Sequence, residues 1–130
     1  MKMQPNPSRL TQAQLEIMNL FWERGELGVA QVWKLLAERR DVARNTVQTM
    51  LTRLVEKGWL TVRAEGNAFY FQASRPRAST LRGIVGHLVD TAFGGSATGL
   101  VMALLEDRRI TASEAQRIRE LIDKAQEDSV

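Results

Sequence analysis

The chain has 130 residues, 44% of them hydrophobic and 25% charged, enough to bury one ordinary core or two small ones. It has no cysteine and one histidine, which excludes disulfide frameworks, thiolate metal sites, cysteine nucleophiles and a zinc site built on histidine alone. The net charge of +3 belongs to the first half: residues 1 to 73 carry ten Lys/Arg against seven Asp/Glu, and residues 74 to 130 carry eight of each. No run of eighteen apolar residues occurs, and residues 1 to 7 lack the apolar block of a signal peptide. A cytoplasmic protein without membrane insertion is therefore expected.

Thr11, with Gln14 three positions on, has the form of a capping box opening a first helix. Leu15, Met18, Leu20, Phe21 and Trp22 supply its apolar side, and it ends near Gly25. A short link through Gly28 leads to a second helix over residues 29 to 40, with Val32, Trp33, Leu35 and Leu36 apolar, and Asp41-Val42-Ala43 makes the next turn. In the third helix Val47, Met50, Leu51, Leu54 and Val55 share one face, so Asn45, Thr49, Thr52 and Arg53 look outward. Short helices, a tight turn and a third helix with a polar outer face are the parts of a helix-turn-helix.

That outer face mixes an amide, hydroxyls and a cation. Amides suit adenine edges, hydroxyls suit a base or a phosphate, and arginine suits guanine or the backbone. Together with Arg44, Thr46, Gln48 and Lys57 these residues form the candidate DNA-binding set on the helix. Residues 39 to 63 hold six cations and two anions, a balance that suits a polyanionic partner, although a basic cluster taken alone is more often a solvated face.

Gly58 is placed to end the third helix in the left-handed conformation, after which the period changes to alternation. Leu60, Val62 and Ala64 alternate with Thr61, Arg63 and Glu65; Gly66-Asn67 reads as a two-residue turn; Phe69 and Phe71 alternate with Tyr70 and Gln72 on the return. A hairpin directly after a reading helix is a wing. Arg63 and Asn67 reach phosphate or the minor groove on one reading and are ordinary exposed residues on the other.

Ser74-Arg75-Pro76-Arg77 punctuates the chain, setting a boundary between residues 1 to 74 and a helical segment, 75 to 130. Leu81, Ile84, Val85, Leu88, Val89, Ala92 and Phe93 form a broad apolar stripe that stops at Gly94-Gly95. A short helix follows from Ala97 to Glu106, and Thr111 with Glu114 starts a last helix on the face of Ala115, Ile118, Leu121, Ile122 and Ala125. Three such helices cannot cover their own stripes, so a C2 dimer is expected through Leu81, Ile84, Val85, Leu88, Phe93, Leu100, Leu104, Ile118, Leu121 and Ile122. Packing back within one monomer is the alternative.

Enzyme signatures fail on inspection. Gly94-Gly95-Ser96-Ala97-Thr98-Gly99 is neither a nucleophile elbow nor a P-loop. His87 reads as a partly exposed structural residue, and Trp22, Trp33 and Trp59 occupy apolar positions that suit a core better than base stacking. No catalytic residue, metal site or cofactor is expected.

Residues 10 to 22, LTQAQLEIMNLFW, and 45 to 58, NTVQTMLTRLVEKG, resemble the penicillinase-repressor family, and the likeness extends over residues 10 to 126. The resemblance implies a bacterial winged-helix repressor that dimerises through its helical half and binds dyad-symmetric operators. It assigns base or backbone contacts to Asn45, Thr46 and Thr49, a phosphate contact to Arg53 and a wing contact to Arg63. In antibiotic-induced members a membrane-sensor metallopeptidase cuts an Asn-Phe bond. The matching stretch here is Met102-Ala103-Leu104-Leu105, with Ala103-Leu104 in place of that pair. Copper-responsive relatives carry a cysteine cluster, which this chain lacks. The expectation is a mainly α, winged helix-turn-helix repressor, homodimeric and non-enzymatic, with a double-stranded DNA operator as partner. A winged-helix module that binds another protein is the second reading, for which the cationic face of residues 39 to 63 is not required.

Overall fold

The computed structural model describes residue 6 and residues 9 to 129, so most of the N-terminal stretch searched for an apolar block lies outside the described residues. Helix α1 (Gln12–Arg24) opens with the predicted capping box. The Gln14 amide donates to the Thr11 hydroxyl (3.1 Å) and the Thr11 amide donates to the Gln14 side-chain oxygen (3.0 Å). Satisfying the carboxamide in this way lets Gln14 be buried. The apolar face is rotated from the expected one: Ile17, Met18, Leu20 and Phe21 are buried, whereas Leu15 and Trp22 are half-buried. Trp22 lies at the edge of the core with its indole N–H donating to the Arg75 carbonyl (2.9 Å).

The link through Gly28 is a short strand, β1 (Leu27–Gly28), not merely a connection. Helix α2 (Val29–Ala37) stops three residues before the expected end, because the Arg39 and Arg40 amides both turn back to the Leu36 carbonyl (2.9 and 3.0 Å). The Trp33 indole donates to the Val42 carbonyl (2.9 Å) and so pins the turn ahead of α3 (Arg44–Glu56). Gly58, at φ +86°, ends α3 in a Schellman motif: its amide bonds the Val55 carbonyl and the Trp59 amide bonds the Leu54 carbonyl.

Strands β2 (Leu60–Glu65) and β3 (Ala68–Ala73) pair antiparallel from Leu60↔Ala73 to Glu65↔Ala68, leaving Gly66-Asn67 as the two-residue turn. Gly66 is at φ +61° and Asn67 is not at positive φ, the pattern of a type II′ turn. Strand β1 joins the far edge of β3 through Leu27↔Phe71 and Gly28↔Tyr70, giving the order β1-β3-β2. The alternation is as predicted, but only its base is covered. Leu60 and Phe71 are buried, whereas Val62 (45%) and Phe69 (58%), further along the same face, are exposed.

Helices α4 (Arg77–Ala92), α5 (Ala97–Glu106) and α6 (Ala112–Asp128) complete the chain. Ser96 caps α5 through the Gly99 amide (3.0 Å), and Thr111 and Glu114 form the predicted capping box on α6. No single helix among the described residues is long and apolar enough to cross a membrane. The chain divides into two compact units, Met1–His87 and Leu88–Val130, the division falling inside α4. The first holds every buried apolar residue among those described, from Ile17 to Phe71. In the second no described residue is buried.

Candidate nucleic-acid interface

The candidate surface follows from which face of α3 the core consumes. Val47, Leu51 and Leu54 are buried and Met50 and Val55 half-buried, so Arg44, Asn45, Thr46, Gln48, Thr49, Thr52 and Arg53 are all exposed, with Lys57 following at the C-cap. The helix therefore brings the predicted set together on one solvent-facing side.

Two of its hydroxyls are already committed as donors. Thr49 Oγ1 donates to the Asn45 carbonyl and Thr52 Oγ1 to the Gln48 carbonyl, both at 3.0 Å. Each hydroxyl thus presents lone pairs outward, which suits a base amino group; donation to a phosphate first requires release of the i−4 carbonyl. At the other end of the chemistry, Ala43 occupies the N-cap and supplies no side-chain acceptor, which leaves the first amides of α3 for an anion.

Among the described residues, Arg44, Arg53 and Lys57 have no carboxylate partner, whereas Arg40 is paired with Glu16. A cleft of about 220 Å³ lies beside that pair, between Ile17, Leu36, Val42 and Met50, and is smaller than ordinary ligand pockets.

The wing residues are placed differently from each other. Asn67 sits exposed in the turn. Arg63 is engaged: its Nε and Nη2 donate to the two oxygens of Glu26 (2.8 and 2.7 Å), its Nη1 donates to Glu65 (3.1 Å), and its Cζ lies 4.9 Å from the centroid of the Tyr70 ring. Hydrogen bonds from Arg63 hold the Glu26 carboxyl below its ordinary range, and those same bonds hold the guanidinium in its charged form. Sequence reasoning missed Glu26 and Tyr70. Tyr70 was legible as an outward strand residue, but Glu26 lies 37 positions from Arg63 and carries no local signal.

No group of three or more His, Cys, Asp or Glu residues that could hold a metal ion occurs among the described residues. Of the expected dimer residues, Leu81, Ile84, Phe93, Leu100 and Leu104 are half-buried, and Val85, Leu88, Ile118, Leu121 and Ile122 are exposed. Val101, Met102 and Leu105, not in the expected set, are exposed as well. The Ala103-Leu104 pair lies inside α5.

Helix α1, helices α2 and α3 joined by a pinned turn, and a hairpin wing define a winged helix-turn-helix protein. Comparison with other proteins sharpens this. The family model described as "Penicillinase repressor" matches residues 10–124, and the chain belongs to that family. The chain is 22% identical over 116 residues to the penicillinase repressor of Bacillus licheniformis, covering 89% of this chain and 91% of that one. Its fold is similar to the solution structure of the DNA binding domain of the repressor BlaI, with a TM-score of 0.51 at 28% identity, covering 58% of this chain and 92% of that one. The fold also matches a MarR mutant from E. coli over 92% of this chain and 80% of that one, with a TM-score of 0.54 at 19% identity.

Proposed function

We propose that this chain is a cytoplasmic transcriptional repressor that binds dyad-symmetric operator DNA as a homodimer, reading bases with the outer face of α3. One observation carries the reading: α3 is buried on one side and presents Asn45, Gln48, Thr49, Thr52 and Arg53 together on the other, with an N-terminus that has no side-chain cap. Base reading falls to Asn45, Gln48 and Thr49, whose amides and acceptor oxygens match adenine and cytosine edges. Arg44, Arg53 and Lys57, without carboxylate partners among the described residues, take phosphates, and the amide of Thr46 in the first turn of α3 assists them. The wing brings Asn67 at its tip towards the flanking groove. Residues 1 to 74 are assigned to DNA binding and the helices beyond them to dimerisation. Membership of the repressor family supports this division of labour.

The two classes of contact separate by mutation. A duplex selected by the parent protein from a randomised pool serves as the operator. Asn45→Ala should weaken binding to it by about 1 to 3 kcal/mol while leaving random DNA unchanged, as for loss of a base contact. Arg53→Ala should weaken both alike and lower the salt slope by roughly one unit. Parent-like binding by both variants would remove α3 as the reader.

A further inference from the structure

Glu26 and Arg63 are joined across the whole width of the small sheet. The strand order is β1-β3-β2, and Gly28, Tyr70 and Arg63 stand in one row of pairs across it. From β2 the Arg63 side chain lies over the Tyr70 ring on β3 and ends in a two-pronged bond to Glu26, the residue just before β1. With Glu65 on its third nitrogen, the guanidinium has all of its nitrogens bound.

Three further observations say what such a bond is for. Strand β1 is only two residues long, so the backbone ties the hairpin to the α1 side of the molecule through just two residue pairs. Beyond Leu60 and Phe71 the hairpin has no buried residue to brace it. The pair is itself exposed, with 51% of the Arg63 and 31% of the Glu26 side chain accessible, and an ion pair so placed adds little to global stability. What a bidentate, ring-stacked arginine adds is direction.

We propose that Arg63 is a positioning residue, held by Glu26 across Tyr70 as a strap that sets the angle of the wing, and that it does not itself bind phosphate. The inference rests on the DNA-reading function above. To take a phosphate, Arg63 must leave two carboxylates, and Glu26 and Glu65 then stand bare beside the DNA backbone, where like charges repel. Arg63 is the sole cation in residues 60 to 73, so the strapped wing meets the groove with the neutral tip Gly66, Asn67 and Ala68.

The test uses the full-length protein, the selected duplex and the variants Glu26→Gln, Arg63→Ala and Arg63→Lys. If the strap sets the wing, Glu26→Gln and Arg63→Lys each weaken binding roughly tenfold, because lysine reproduces neither the two-pronged bond nor the stacking, and combining Glu26→Gln with Arg63→Ala costs no more than either alone. The salt slope of Arg63→Ala stays at the parent value. Amide hydrogen exchange at Leu27 and Phe71, the pair that joins β1 to β3, speeds up in Glu26→Gln without any DNA present. The proposal is overturned if Arg63→Lys binds like the parent, if Glu26→Gln binds as tightly as the parent or tighter, or if Arg63→Ala lowers the salt slope by about one unit, the mark of a lost phosphate contact. Unchanged exchange in Glu26→Gln overturns it as well. Should the parent select no duplex, the repressor reading fails, and the exchange measurement still decides the strap.

Discussion

A single carboxylate shows how the strap answers to acid. The pKa of Glu26 lies below the ordinary glutamate value of 4.5 because it accepts hydrogen bonds from Arg63, with partial burial opposing and the Arg63 charge adding to the effect. A carboxyl whose pKa is depressed on folding binds fewer protons in the folded state. Its contribution to stability is therefore present above the unfolded value and lost as pH falls through the folded one. Arg63 stays charged throughout, so protonation of Glu26 is what removes the pair. The expected outcome is that Glu26→Gln lowers the urea midpoint slightly at pH 7 and that the gap to the parent closes as pH falls below 4.5 and through the lower folded value. Urea titrations of both proteins across that range measure it. A gap that widens in acid would mean that the pair does not hold in solution.

Helix ends supply a sharper contrast between elements. Helices α3 and α5 both close with a Schellman motif, the second through the Arg108 amide to Leu105 and the Arg109 amide to Leu104 (both 3.1 Å). The residue in the left-handed conformation is glycine in one, Gly58 at φ +86°, and arginine in the other, Arg108 at φ +54°. A side chain there costs about 1 to 2 kcal/mol. Gly58→Ala should therefore destabilise by about that amount and Arg108→Gly should stabilise by about 1 kcal/mol, offset in part by the entropy of the added glycine. Thermal midpoints read both, and a shared sign would discount the motif as the cause. The same elements show what was legible in the sequence. Capping boxes at Thr11 and Thr111, the stop at Gly58 and the turn at Gly66 are encoded within four residues, and each was readable. The outer face of α3 was readable because helical periodicity is local too. Strand β1 was not, since two residues become a strand only by pairing with β3, more than forty positions on. The exchange of Leu15 for Ile17 in the core has the same origin: which of two apolar neighbours is buried depends on what α1 packs against.

At the scale of the whole chain, the two units solve different problems. The first buries a core that reaches from Ile17 to Phe71; the second has no buried residue among those described, although Val101, Met102, Leu105, Leu121 and Ile122 are large, apolar and 44 to 54% exposed. A patch of that kind calls for association, and in the proposed C2 dimer a second copy of the same chain would supply matching stripes. The proposed symmetry would also serve the DNA. Once one α3 had docked, its twin would bind at an effective concentration of order millimolar, strengthening binding by about 10² to 10⁴-fold over a single unit. Leu121→Asp in the full-length protein should therefore sediment as a monomer at micromolar concentration and lose operator affinity by a factor in that range, with α3 and its core unaltered. The sign of the coupling makes the measurement decisive. A monomeric variant that kept parental affinity would detach dimerisation from DNA binding, and a variant that stayed dimeric would move the interface away from α6.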